Sequence, residues 1–295
     1  MRSRTKIFLI VFAFGFMVLL TIFAWVISHP KFGGFDENRA YQDVVYQISL
    51  GSRVPGTVAH QKEVKWITSQ VNSSGWETEV QSINDQGIQI QNIIAKRGND
   101  KPWIILGAHY DSRQFADNDP NPSQQNNPVP GANDGASGVA VLLEIAHDLP
   151  HDVPYQIWLV FFDWEDQGRI NNQDWILGSR AFVDSLKQLP DSAIIVDMIG
   201  DKDLNIYLEK NSDPSISQEI WNVARNLGYQ NSFILQEKYS MLDDHTPFLE
   251  KGVKAVDIID FDYPFWHTTQ DTPDKTSAKS LGIVGNTLLN WLEKQ

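Results

Sequence analysis

The stretch VPGANDGASGVAVLLEIAHDL, Val129 to Leu149, sets a lone carboxylate, Asp134, among glycines and runs straight into an apolar helix. Two readings of Asp134 are open. An Asp just ahead of a helix is a favoured N-cap, and Ala136 to Leu149 has helical spacing of its apolar positions. Alternatively, Gly131 and Gly135 let backbone and metal approach closely, and a carboxylate between two cations can bridge them with its two oxygens. The surroundings of the stretch decide between these.

On either side lie continuous apolar runs: WIILGAHY (103–110), YQIWLVFFD (155–163), AIIVDMIG (193–200) and KAVDIID (254–260). Helical patterns near 175–186 and 215–227 separate them, and a closing helix is expected near 277–293. Ahead of them come helices over 35–50 and 58–73, joined by the polar turn GSRVPGT, and a strand pair near 77–83 and 88–95. Strands that are apolar throughout, alternating with amphipathic helices, predict an α/β fold: a mostly parallel mixed sheet flanked by helices on both faces. Ligands of such folds gather beyond the carboxyl ends of the strands.

Polar residues do follow each run. WIILGA leads to His109, Tyr110 and Asp111; WLVFF to Asp163, Trp164, Glu165 and Asp166; AIIV to Asp197; and VDIIDFDYPF to Trp266 and His267. With the Asp134 loop, five segments deliver His or carboxylate to one edge. Each alone reads more readily as a strand-end cap or a solvated loop charge, but their joint placement does not. Two histidines with three carboxylates suit zinc, whereas calcium and magnesium prefer all-oxygen shells and would not recruit His109 and His267. The chain has no cysteine, so thiolate sites and disulfides are excluded. Glu165 and Asp166, as neighbours, point in different directions: one can hold metal while the other faces substrate as general base and proton shuttle.

GAHYDS, PGANDGASG, FFDWED, VDMIGD and WHTTQDT together resemble the M28 family of zinc exopeptidases and their relatives, the animal-type glutaminyl-peptide cyclotransferases. The resemblance covers about residues 40 to 295. In the peptidase pattern it implies two zinc ions, with Asp134 bridging, Asp166 and one His completing one shell, Asp197 and the other His the second, and Glu165 as base. In the cyclotransferase pattern it implies one zinc on Asp134, Asp166 and His267, with the matches to His109 and Asp197 retained. FFDWED, WILGSR and LDDHTPFLEKGV are closer to the cyclotransferases. There Asp243 matches a carboxylate of a hydrogen-bond network near the substrate, and Trp266 offers an indole face for a small planar side chain. Differences from that pattern are Asp166 for Glu, Gly135 for Ser and Asp257 for His.

The front of the chain is different. Residues 7–27, IFLIVFAFGFMVLLTIFAWVI, carry no charge and follow Arg2, Arg4 and Lys6. That length suits a membrane span, and the preceding positive charges keep the N-terminus cytoplasmic. A cleaved signal peptide is the other reading, but the run exceeds the usual apolar core and no small-x-small site follows. The expected organisation is a basic tail (1–6), an anchor (7–27), a linker (28–34) and an extracytoplasmic catalytic domain (35–295). The first 30 residues hold three of the 24 basic residues and no acidic ones, leaving 21 basic against 37 acidic, a net of −16. Such a domain repels nucleic acid and anionic lipid.

The expected function is a zinc enzyme acting on peptide or protein N-termini, with a glutaminyl-peptide cyclotransferase preferred to an aminopeptidase and to a peptide-binding homologue without catalysis. Zn2+ is the cofactor, one ion for the cyclotransferase and two for the aminopeptidase. Glu165 and Asp243 are the catalytic candidates, Trp266 contacts substrate, and Asp134, Asp166, His267, His109 and Asp197 are the metal candidates. The loop Arg113 to Pro130 reads either as an excursion over the site rim or as a plain solvent loop. Oligomeric state leaves no signal in the sequence.

Overall fold

The computed structural model describes residues 34–85 and 87–295, so the apolar run 7–27 and nearly all of the linker lie outside the described residues. No helix among the described residues is long and apolar enough to cross a membrane.

Helix α1 (Glu37–Ser49) starts at Asp36, whose side chain accepts the N–H groups of Asn38 and Arg39, and α2 (Val58–Ser73) starts at Thr57, which accepts from His60. The chain continues through β1 (Glu77–Asp85), β2 (Ile88–Arg97), β3 (Trp103–His109), α3 (Ala136–Asp148), β4 (Gln156–Phe162), α4 (Leu177–Ser185) and β5 (Ser192–Asp197). It closes with β6 (Ile206–Leu208), α5 (Pro214–Asn226), β7 (Phe233–Glu237), α6 (Thr246–Glu250), β8 (Lys254–Ile259) and α7 (Ala278–Leu292).

Six strands form one sheet in the order β1-β2-β4-β3-β5-β8. The first two pairings are antiparallel, and those of β4 with β3, β3 with β5 and β5 with β8 are parallel. Alternate residues of the parallel strands feed two cores. Ile104, Leu106, Ile194, Val196 and Val256 pack with α1, α2, α3, α5 and α7, while Ile105, Val160, Ala193, Ile195 and Ala255 pack with Phe182 of α4 and Phe248 of α6. Burial on both faces is why these strands read as unbroken apolar runs.

Three features were not expected from the sequence. β6 and β7 pair as a small separate parallel ribbon, α6 is a single short helix, and α4 begins at Leu177 rather than at Trp175. The late start of α4 has a cause: Ile176 has φ 56°, and the N–H groups of Ile176 and Leu177 donate to the carbonyls of Glu165 and Trp164 at 3.1 and 3.0 Å. The chain is tied to the turn after β4 before it can coil.

The topology places the site. After β3 the chain lays β4 on one side and then crosses back to lay β5 on the other, so the strand order reverses at β3. The crevice beyond the carboxyl ends of β3 and β5 is where ligands of open α/β sheets bind.

Candidate metal centre

His109 is the last residue of β3 and Asp197 the last of β5. Asp134 lies two residues ahead of α3, Glu165 and Asp166 in the turn after β4, Asp243 shortly before α6, and His267 in the loop after β8. All seven are buried. The capping option for Asp134 fails, because the N-cap of α3 is Gly135 at φ 93° with no side-chain cap bond. A Cβ on Gly135 would lie 2.7 Å from the Asp111 carbonyl and 3.2 Å from the His109 ring, so only glycine lets the backbone pass this close.

Asp134 divides its two oxygens. Its Oδ1 lies 3.1 Å from His109 Nε2, which lies 3.1 Å from Asp197 Oδ1. Its Oδ2 faces His267 Nε2 at 3.7 Å, and that nitrogen is 2.9 Å from Asp166 Oδ1. Two sets of three donor atoms result, His109–Asp134–Asp197 and Asp134–Asp166–His267, each set lying within 4.8 Å.

Zinc fits these residues. Ligands about 2.1 Å from a tetrahedral ion stand roughly 3.4 Å apart, close to the separations above. Asp134 Oδ2 and both oxygens of Asp166 are buried without a hydrogen-bond donor, which is what a cation would satisfy. Each imidazole presents Nε2 to the site and Nδ1 to a carboxylate outside it: His109 to Asp111 at 3.5 Å, His267 to Asp117 at 3.4 Å. Such partners fix the tautomer and ring orientation of metal-binding histidines.

Two carboxylates absent from the sequence-based site organise the backbone. Asp111 accepts the N–H groups of Glu165 and Asp166 at 3.0 and 3.3 Å and the side-chain amide of Gln167 at 3.0 Å. Asp271 accepts the N–H groups of Asn133 and Asp134 at 2.8 and 3.1 Å and the Tyr263 hydroxyl at 2.6 Å. Trp164, Met198 and His267 have positive φ, so three turns bearing site residues are held in a conformation most side chains avoid. By contrast Asp163, from the same acidic turn, binds His60 Nε2 at 2.8 Å and the Gln91 N–H at 2.8 Å, toward α2 and β2.

Burial pushes the Glu165 carboxyl well above its usual range, with Asp166, Asp243 and Asp244 adding to the shift and His109 opposing it. Burial likewise raises Asp166 to about 6 and Asp197 to about 7; Asp134 adds to both shifts, and Asp243 to that of Asp197. Asp134 itself is held low, since His109 and His267 outweigh its burial. For His267, burial favours the neutral ring, but Asp166, Asp117 and Asp134 together bring it to about 9. Asp243, buried shortly before α6, thus adds to the upward shifts of both Glu165 and Asp197.

Trp266 lies against His267 with ring centroids 3.8 Å apart and ring planes tilted by 30°. Tyr263, Phe261 and Phe265 belong with Met198 and Ile259 to a small apolar cluster apart from the two main cores. The loop after Arg113 is tied down at the rim: Arg113 donates to the carbonyl of Asp166 at 3.0 Å, Val129 to the Arg113 carbonyl, and Asp119 accepts from Thr269.

Comparison with known proteins gives a consistent outcome. A glutaminyl-peptide cyclotransferase of Boiga irregularis is 24% identical over 308 residues, covering 85% of this chain and 79% of the relative. The crystal structure of a Porphyromonas gingivalis glutaminyl cyclase superposes with a TM-score of 0.84 at 32% identity, over 88% of this chain and 99% of that one. A Zn-dependent exopeptidase from Parabacteroides distasonis gives a TM-score of 0.85 at 29% identity, over 90% and 100%. Peptidase family M28 matches residues 92–292. Because that span contains every residue of both donor sets, together with Asp111 and Asp271 that position them, the chain belongs to peptidase family M28.

Proposed function

We propose that this enzyme is a zinc-dependent glutaminyl-peptide cyclotransferase, converting an N-terminal glutamine to pyroglutamate with release of ammonia. The observation that carries this reading is the buried donor set Asp134–Asp166–His267 with the buried carboxyl of Glu165 next to Asp166 in the same turn after β4. The reaction joins the α-amine nitrogen to the side-chain carbonyl carbon and breaks the bond from that carbon to the amide nitrogen. It needs one carboxylate that first accepts a proton and then gives it up.

Zinc on Asp134, Asp166 and His267 would polarise the side-chain carbonyl. Glu165 takes the proton from the α-amine as the ring closes and delivers it to the departing ammonia. Asp166 and Asp243 add to the upward shift that burial gives Glu165, which favours the proton-bound form that Glu165 takes as the ring closes. Trp266 presents an indole face beside His267 for the planar amide. His109 and Asp197, hydrogen-bonded at 3.1 Å, hold the other side of Asp134.

A second reading, an aminopeptidase with two zinc ions, is favoured by one feature: Asp134 gives one oxygen to each donor set, as a bridging ligand would. Two measurements separate the readings. Incubation with Gln-initiated and Leu-initiated peptides, followed by mass spectrometry, distinguishes loss of ammonia from loss of a residue. Elemental analysis should find one tightly bound zinc, retained in His109→Ala. Two ions falling to one in the variant, with release of free amino acids, would establish the peptidase.

The uncharged run 7–27 behind Arg2, Arg4 and Lys6 supports a further part of this reading: a single-pass anchor with a cytoplasmic N-terminus and the catalytic domain outside. Protease added to intact cells should then digest the domain, and its protection would overturn that orientation.

A further inference from the structure

Beside His267 and Trp266 lies a cavity of about 490 Å³, walled also by Trp175, Phe115, Asp117 and Arg169. Glu165 and Asp243 are not part of its lining. The cavity meets the donor set at His267 and shares Trp266 with the site, while its remaining walls are residues that the reaction above does not use. A peptide held by its first residue at Glu165 needs such an exit, and this volume accommodates a side chain with its flanking backbone.

The walls are built closely. Gly168 carries no Cβ, which would collide with the Trp175 ring, and Trp175 lies parallel to His267 at 6.0 Å. Arg113 stands 4.9 Å from the Trp175 ring and is neutralised by Asp117 at 2.8 and 2.5 Å. Arg169 differs. It is exposed, and its guanidinium has no ion-pair partner among the described residues.

Its backbone is also held against preference. Arg169, Asn171 and Asn172 have φ of 65°, 51° and 62°, a left-handed conformation that asparagine tolerates and arginine does not favour. The turn is closed by a 2.8 Å bond from the Arg169 N–H to the Gln173 carbonyl and anchored by buried Ile170. Strain maintained in this way belongs to sites that must present a group. Here it presents an exposed cation without an ion-pair partner among the described residues in the cavity wall, on a chain whose residues 31–295 carry a net charge of −16.

We propose that this cavity receives the second residue of the substrate and that Arg169 selects an acidic side chain there. The inference rests on the reading that peptide N-termini are the substrate. An exposed ion pair with Glu, set against repulsion of Lys, should separate the two by about fivefold in kcat/KM at low salt.

The test uses the full chain with Gln-Glu, Gln-Ala and Gln-Lys peptides and the matching Leu-initiated series. Wild type should prefer Glu over Lys, mainly in KM, and 0.5 M salt, about ten times the ionic strength of the low-salt assay, should flatten the preference. Arg169→Gln should abolish the preference and Arg169→Glu should invert it. Equal rates in wild type, or a preference unchanged in both variants, would overturn the proposal. If only the Leu series is consumed, the cyclotransferase reading falls, while the same Glu-to-Lys ratio within that series still decides the role of Arg169.

Discussion

Asp111→Asn is the substitution that asks most of the structure. Asp111 is fully buried, and Asn keeps its shape while turning one acceptor oxygen into a donor. Its Oδ1 accepts from the Glu165 N–H and faces His109 Nδ1, and its Oδ2 accepts from the Asp166 N–H and the Gln167 amide. Either orientation of the new amide leaves two of these donors facing an NH2 group. Each buried donor left unpaired costs about 1–3 kcal/mol, so a loss of about 2–6 kcal/mol is expected. For a domain of this size that lowers Tm by roughly 5–25 °C.

The functional consequence is separate. The turn carrying Glu165 and Asp166 loses its anchor and His109 its Nδ1 partner, so zinc affinity should fall about 10–100-fold, read by competition with a chelator. Asp163→Asn is the matched control. Asp163 holds as many bonds, to His60, Gln91 and Trp164, but its side chain faces α2 and β2 rather than the donor sets. It should lower Tm comparably and move zinc affinity much less. Equal zinc affinities for wild type and Asp111→Asn, or equal losses in the two variants, would refute the positioning argument.

Glu165→Gln should lower turnover by about 10²–10⁴ with zinc still bound, because only the proton shuttle is removed; loss of the metal would mean that the roles of Glu165 and Asp166 are exchanged. Glu63 gives a pH dependence away from the site. It is fully buried near Arg53, and burial, reinforced by Asp43 and opposed by Arg53, raises its carboxyl from 4.5 to about 8. A carboxyl raised on folding contributes stability that is complete below its unfolded value and is lost as pH climbs through its folded value. Thermal melts should therefore show Glu63→Gln gaining on wild type between pH 5 and 8, and a difference that stays constant over that window would refute the assignment.

What the sequence did not disclose lies mainly in contacts between distant segments. Asp271 orders the Asp134 loop from 137 residues away, and nothing local to either segment marks the pair. The rim aromatics Phe261, Tyr263 and Phe265 look like core residues in composition, yet they cluster beside the site because the loop after β8 turns back over it. Arg169 is an ordinary surface arginine until its backbone conformation is known. The donor residues were legible for the opposite reason. A parallel strand buried on both faces must be apolar until it emerges, so the first polar residue after each run marks the sheet edge: His109 ends β3 and Asp197 ends β5. Asp134 belongs to the same edge through its glycine. With Gly135 at φ 93° serving as the N-cap of α3, the Asp134 side chain is turned away from the helix N–H groups and its oxygens divide between His109 and His267. A serine or alanine at 135 would strain that turn and crowd the His109 ring, so the residue that rules out the capping role is also the one that lets the two donor sets share a carboxylate.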